Sequence, residues 1–384
     1  MTFPGQGATS ALRVLYVSPQ AALGGAERVT LDLIALHDRA RVEPSVCFLN
    51  EGPLVHHCRE VLGVSTFVVN APPLRRFIAG RRTVRTIADF IRAGHVDLVH
   101  SAMAWGHIYG GRAARRARVP AVWFQHVGAS WSSNIERWAA FVKSAAIITN
   151  SEFTAQGQRR VNPRRARVEV IHPGTRLPER GYKQRRAAGR AALEIPDGVF
   201  AVGIAARLQP WKGQDVVIRA AASLLRARSH ARLYIIGDAM FGFDKAYADA
   251  LPRLAEELGI RERVSFTGFR NDVPELLAGL DVAIHASVTP EPFGLGLIEA
   301  MAAGTALIAA DAGAAREIVA PGVDGLLTPP GDHEALATAL LALCDDPDRC
   351  HELARAGWHT ARERFDAAEM TLKVEELYEA VVKR

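Results

Sequence analysis

Short apolar runs rich in β-branched residues alternate along the chain with stretches whose apolar positions recur every three or four residues. Runs of the first kind suit buried strands and the second amphipathic helices, and their alternation predicts an open parallel sheet covered by helices. In the first half "RVLYVSP" (13–19), "VEPSVCFLN", "STFVVN", "VDLVHS", "PAVWFQH" and "AAIITNS" read as strands, and "RVEVIHPG" (167–174) closes the set. "GGAERVTLDLIALHDRA" (24–40) reads as a glycine turn entering a helix. The polar stretch 175–198, punctuated by Pro and Gly, reads as a linker and first helix. The strand rhythm then restarts with "VFAVGIAA" (199–206), "ARLYIIGD" (231–238), "RVSFTG" (263–268), "DVAIHAS" (281–287) and "TALIAAD" (305–311), with helices at 213–228 and 245–258 among those between. From Asp332 onward the pattern is helical. The expectation is an α/β chain of two doubly wound, Rossmann-like domains, residues 1–177 and 178–365 followed by 366–384. Ligands of such sheets collect outside the carboxyl ends of the strands.

Composition narrows the class without fixing the function. A length of 384 residues exceeds one ordinary core, and 49% apolar with 23% charged residues is the balance of a globular protein. No apolar run reaches the roughly 18–20 residues of a membrane span, and no secretion signal is expected. Cys47, Cys58, Cys344 and Cys350 lack paired spacing and fit reduced thiols in a cytoplasmic protein. The net charge of +6 is uneven: residues 1–178 hold 23 Lys and Arg against 11 Asp and Glu, the remainder 24 against 30. The densest basic stretches run from Arg75 and Arg76 through Arg81, Arg82, Arg85 and Arg92, and from Arg112 through Arg115, Arg116 and Arg118. These are either solvated helix faces or a surface for an anionic partner. No recognition motif accompanies the charge, so nucleic acid is not the expected partner.

Three motifs carry chemistry. "GGAER" follows the first strand, and although it is not G-x-G-x-x-G, Gly24 and Gly25 permit close backbone approach at a helix N-terminus. In "ARLQPWKGQ" (206–214), Arg207 ends a strand and Lys212 follows in a Pro/Gly turn. Two cations there neutralise a diphosphate without a metal. In "TPEPFGLGLIEAMAAGTALIAAD" (289–311), Glu291 lies in a loop and Glu299 in the first turns of a helix starting near Leu295. The amides of Phe293, Gly294 and Leu295 then form a seat for an anion, and the carboxylates suit sugar hydroxyls. Asp346-Pro347-Asp348 spells a metal-binding D-x-D but lies between helices, where capping is the better reading. His56-His57-Cys58 has no visible partner pair, so neither a metal nor a cofactor is expected.

Together these residues resemble the retaining GT-B glycosyltransferases of family four. The resemblance runs through "GGAE" (24–27), "VDLVHS" (96–101), "QHVG" (125–128), "TNSEFT" (149–154), "VIHPGT" (170–175), "ARLQPWKG" (206–213), "YIIGD" (234–238), "VSFTGF" (264–269), "PEPFGLGLIEAMAAGTALIA" (290–309) and "GVDGLLTPPGD" (322–332). It implies a GT-B fold, with an acceptor-binding first domain and a donor-binding second domain facing across a cleft. The C-terminal helix would pack back on the first domain. Arg207 and Lys212 look like the pair that holds the donor diphosphate. Glu291, the first glutamate of E-x7-E, would accept from the transferred sugar and Glu299 from the ribose diol. Gly25 would lie at the junction of acceptor and phosphate, and His126 is similar to the family histidine beside the reacting carbon. Two departures stand out: His172, Pro173 and Thr175 replace parts of the Asn-Gly-Val-Asp common near the hinge, and Ala206 stands where glycine is usual.

The implied activity is metal-independent transfer, with retention, from a nucleotide diphosphate sugar to an acceptor hydroxyl in cell-envelope polysaccharide, glycolipid or glycoside synthesis. UDP-sugar leads GDP-sugar; the base would be read around the 238–244 and 268–272 loops. The basic first half is expected to bind the acceptor, carried on a lipid at the inner face of an anionic membrane. A phosphorylase or sugar-nucleotide epimerase shares the fold, and a non-catalytic sugar-nucleotide binder or a basic nucleic-acid-binding protein are the remaining alternatives.

Overall fold

The computed structural model describes residues 11–178, 182–239 and 244–383. Residues 179–181 of the expected linker and 240–243 of the expected base-reading loop lie outside the described residues. The chain forms two compact units, one comprising the chain up to Gly174 with Ala367 onward, the other Thr175–Asp366.

The first unit carries seven parallel strands among the described residues, in the order β3-β2-β1-β4-β5-β6-β7. They are β1 (Leu12–Ser18), β2 (Val42–Phe48), β3 (Ser65–Val68), β4 (Leu98–Ala102), β5 (Ala121–Gln125), β6 (Ala146–Thr149) and β7 (Arg167–Val170). Strands buried on both faces read as near-continuous apolar runs, which is why "LRVLYVS" and "AVWFQ" were legible as strands. The helices used below are α1 (Gly25–Leu36), α2 (Phe77–Ala93), α3 (Met103–Ala117) and α4 (Asn134–Ala140). Leu15 and Val17 pack with Ile87, Tyr109 and Ala113 on one face of the sheet. Tyr16 points to the other face, where the C-terminal helix (Ala367–Val382) packs beside α1. There the Tyr16 hydroxyl meets His37 Nε2 at 2.6 Å and the Tyr378 hydroxyl at 2.9 Å. Glu375 ties the helix down through His37 Nδ1 at 2.9 Å and Arg41 at 2.8 Å.

The second unit carries six parallel strands among the described residues, ordered β10-β9-β8-β11-β12-β13. They are β8 (Phe200–Ala205), β9 (Ala231–Ile236), β10 (Val264–Phe266), β11 (Val282–His285), β12 (Ala306–Ala310) and β13 (Leu326–Thr328). Helices α5 (Gln214–Ala227) and α6 (Leu295–Ala303) carry the site. Val202, Ile204, Leu233 and Ile308 form a core with α5 on one face, and Ala283, Leu307, Ile298 and Met301 another on the α6 face. β13 was not among the strands expected, because three half-buried residues at a sheet edge give too short a pattern.

Candidate active site

In the second unit β8 and β11 are neighbours whose connections depart in opposite directions, so a crevice opens outside their carboxyl ends. Lys212 reaches it from the loop after β8 and Glu291 from the loop after β11. Pro210–Lys212 forms one 3₁₀ turn, ended by Gly213 at φ 72°. A Cβ at Gly213 would stand 2.2 Å from the Ala286 carbonyl oxygen, so only glycine lets the turn lie against the β11 loop. That close approach delivers Lys212 Nζ to 2.6 Å from Glu291 Oε1, 4.0 Å from the Trp211 ring centroid. Glu291 Oε2 also receives His285 Nε2 and the Ser287 hydroxyl, each at 2.8 Å. Its backbone is held too: Ala314 N–H donates to the Glu291 carbonyl at 3.1 Å. Burial alone would push the Glu291 carboxyl up, but His285 and Lys212 outweigh it and hold the group well below the usual carboxylate range. Glu291 is therefore an anion at any physiological pH, with acceptor capacity for a hydroxyl.

Arg207, just beyond β8, is exposed, and among the described residues it forms no ion pair. Gly294, at φ 99°, opens α6 with no side-chain cap, so the positive end of the helix is not closed by a capping side chain. Phe293 is buried and anchors the elbow in the α6 core. Leu295 starts the helix and Glu299 is its half-buried fifth residue. Arg207, Lys212, Glu291, the elbow residues and Glu299 thus all belong to this unit.

Gly24, Gly25 and His126 belong to the first unit. Gly24 precedes α1 in extended conformation, and Gly25 is the first residue of that helix. Glu27 folds back over this turn, since a Cβ on Gly24 would meet Glu27 Oε2 at 2.6 Å. His126 follows β5 and stacks on Phe124 with centroids 4.1 Å apart. Its carbonyl accepts from Asn150 Nδ2 at 3.0 Å, and among the described residues its buried Nε2 has no partner. Burial pushes its pKa down to about 3, so the ring is neutral. On the opposite face of β5, the Gln125 amide donates to Glu136, whose carboxyl burial raises to about 7.

Sequence reasoning missed His285, Ser287 and Glu136. The signal for the first two was present: "IHAS" places a histidine and a serine at the carboxyl end of β11, six and four residues before Glu291. Asp346 caps the helix Pro347–Arg364, its side chain accepting from the Arg349 N–H at 2.9 Å.

Residues 186–359 match Glycosyl transferases group 1, and residues 23–177 match Glycosyltransferase Family 4. The chain belongs to this family of GT-B glycosyltransferases. A D-inositol 3-phosphate glycosyltransferase of Streptomyces avermitilis is 33% identical over 70% of this chain, and one of Nocardia farcinica is 34% identical over 70%. The matched regions span 64% and 63% of those relatives' lengths. Among solved structures, Anabaena Alr3699/HepE in complex with UDP and glucose superposes with a TM-score of 0.82 at 28% identity, covering 96% of this chain and 99% of that one. The sucrose-phosphate synthase of Thermosynechococcus elongatus shares the fold, with a TM-score of 0.78 at 21% identity, 96% of this chain and 99% of that one being covered.

Proposed function

We propose that the protein is a retaining, metal-independent hexosyltransferase that uses a nucleotide diphosphate sugar, UDP-sugar ahead of GDP-sugar, and an acceptor hydroxyl in cell-envelope polysaccharide, glycolipid or glycoside synthesis. The observation that carries this reading is the group at the β8/β11 crevice: ionised Glu291 paired with Lys212, beside exposed Arg207 and the glycine-opened start of α6. The likeness to a protein solved with UDP and glucose supports the donor. Relatives named for D-inositol 3-phosphate make phosphorylated polyols the first acceptors to try.

In this reading the acceptor oxygen bonds to the anomeric carbon on the face the diphosphate leaves. The bond from that carbon to the phosphate oxygen breaks, its electron pair goes to the nucleotide diphosphate, and the acceptor proton passes to a departing phosphate oxygen. Arg207, Lys212 and the amides from Phe293 to Leu295 stabilise the added negative charge, so no metal is required for that role. Glu291 accepts from the sugar hydroxyls and Glu299 from the ribose diol. Neutral His126 meets the sugar's primary hydroxyl, and Gly24 and Gly25 border the acceptor and phosphate. The reaction takes place in the cytoplasm, with the basic first unit at an anionic membrane face. Among the described residues no helix is long and apolar enough to cross a membrane.

The test is a thermal-shift panel of UDP, GDP, ADP and their sugars, followed by product analysis with the donor it selects. Transfer with the donor's anomeric configuration, undiminished by a chelator, is expected. An inverted product, a free sugar phosphate or an epimerised donor would replace the proposal.

A further inference from the structure

Two arginine clusters that stand apart in the sequence meet in the first unit. α2 and α4 both pack against α3, and between them lies an open groove of about 880 Å³. Arg81 and Arg85 line it from α2, and Arg112, Arg115 and Arg116 from α3. Among the described residues none of these five forms an ion pair, and no acidic side chain lines the groove. The acids on or between these helices are engaged elsewhere: Asp89 pairs with Arg92 at 2.8 Å, Asp97 accepts from the Arg13 N–H at 2.8 Å, and Glu136 is buried against Gln125. Guanidinium groups gathered without carboxylates repel one another unless an external anion joins them. Their planar forks match phosphate oxygens.

The same groove carries exposed apolar surface. Trp138 and Phe141, at the α4 side, are 40% and 55% exposed. Ile78, 73% exposed, precedes Arg81 and Arg85 at i, i+3 and i+7 on α2, which sets it on their stripe of the helix. A soluble phosphate uses the cations alone. A nucleic acid uses cations and aromatic rings but gains nothing from an exposed isoleucine. An interface of phosphate headgroups over acyl chains uses all three. We propose that this groove is a docking surface for an anionic phospholipid membrane, with the arginines on lipid phosphates and Trp138, Phe141 and Ile78 in the headgroup–acyl boundary. The proposal deepens the membrane contact of the preceding reading and rests on that part of it, not on the donor site.

The experiment is flotation of the full chain with phosphatidylcholine vesicles, with and without about one-third phosphatidylglycerol, at low salt and about 0.5 M salt. The wild type is expected to float with the anionic vesicles alone, at low salt. Arg85→Gln with Arg112→Gln is expected to bind about thirtyfold more weakly. A blue shift of tryptophan emission on binding should vanish in Trp138→Phe. Undiminished flotation of the double variant overturns the groove while leaving the membrane contact standing, and failure of the wild type to float overturns both. Retention of a single-stranded oligonucleotide without flotation assigns the groove to nucleic acid instead. Stabilisation by nucleotide diphosphate, read on the same samples, shows that the variant is folded, and its loss in wild type would count against the donor site alone.

Discussion

At the β8/β11 crevice of the second unit a buried carboxylate keeps its charge, whereas in the first unit the buried ionisable groups around β5 give theirs up. Glu291 is held ionised by Lys212 and His285. His126 and His107 are each pushed down to about 3, His100 is lowered well below its ordinary value and Glu136 is raised to about 7, with burial the leading cause in every case. Two sheets wound alike therefore hold their buried ionisable groups in different states, charged in the second unit and neutral in the first.

Acid should break the comparison most visibly. A buried neutral histidine with a depressed pKa contributes its full stability above its unfolded pKa of about 6.5, and loses it as pH falls from there toward about 3. The raised Glu136 has the opposite sense: its contribution is complete below the ordinary glutamate range and is lost as pH rises through about 7. Glu291, being depressed, contributes above about 4.3 and weakens only as pH falls below that. Thermal melts between pH 7 and pH 4.5 should show the first unit's transition moving down while the second's holds. Transitions that move together would mean that these groups do not set the acid response.

Removing the second unit's cations should come next in size. Losing one group that stabilises developing charge costs about 10²–10³ in rate, roughly 2.7–4 kcal/mol. Lys212→Ala should show this in kcat with the donor that the nucleotide panel selects. It also strands Glu291, so part of any fall in Tm belongs to that carboxylate rather than to catalysis. Arg207→Ala, exposed and without an ion pair among the described residues, separates the two effects. It should lower the rate with little change in Tm.

Glu299→Ala sharpens the assignment of the nucleotide. A ligand at a hundredfold its Kd adds about 2.7 kcal/mol to the stability of its site. Wild type should gain a shift of a few degrees from one nucleotide diphosphate, and the variant should lose most of it. An equal shift in both would remove Glu299 from the ribose.

Much of this fold is legible in the sequence, because parallel strands covered on both sides concentrate apolar residues in short uninterrupted runs. β13 escaped, being three residues at an edge. Motifs alone make Arg207, Lys212, Glu291 and Glu299 site candidates, but the 2.6 Å pairing of Lys212 with Glu291 joins loops 79 residues apart. No local pattern encodes such a contact. It follows from β8 and β11 being neighbours and from Gly213 lying where a Cβ would stand 2.2 Å from the Ala286 carbonyl oxygen. Likewise the arginine clusters were evident, while their meeting across α2 and α3 required the packing of those helices.

Ser287 offers the smallest effect and the cleanest look at how Glu291 is held. Its hydroxyl is one of three donors to that carboxylate, and the other two are cationic or able to become so. A hydrogen bond to a charged group contributes about 1.5–3 kcal/mol, and a neutral pair about 1. Because Lys212 and His285 remain in Ser287→Ala, Glu291 should stay ionised, and the bond lost is one to a charged group with two other donors still in place. Stability would then fall by about 1.5 kcal/mol at neutral pH, the low end of that range. The acid-sensitive part of the second unit's stability should shrink and be fully lost at a slightly higher pH, since a carboxylate with one donor fewer is easier to protonate. Donor binding should change less than in Glu299→Ala. If instead Ser287→Ala abolished the nucleotide shift, the serine would contact the donor directly and the Glu291 cluster would need to be redrawn around it.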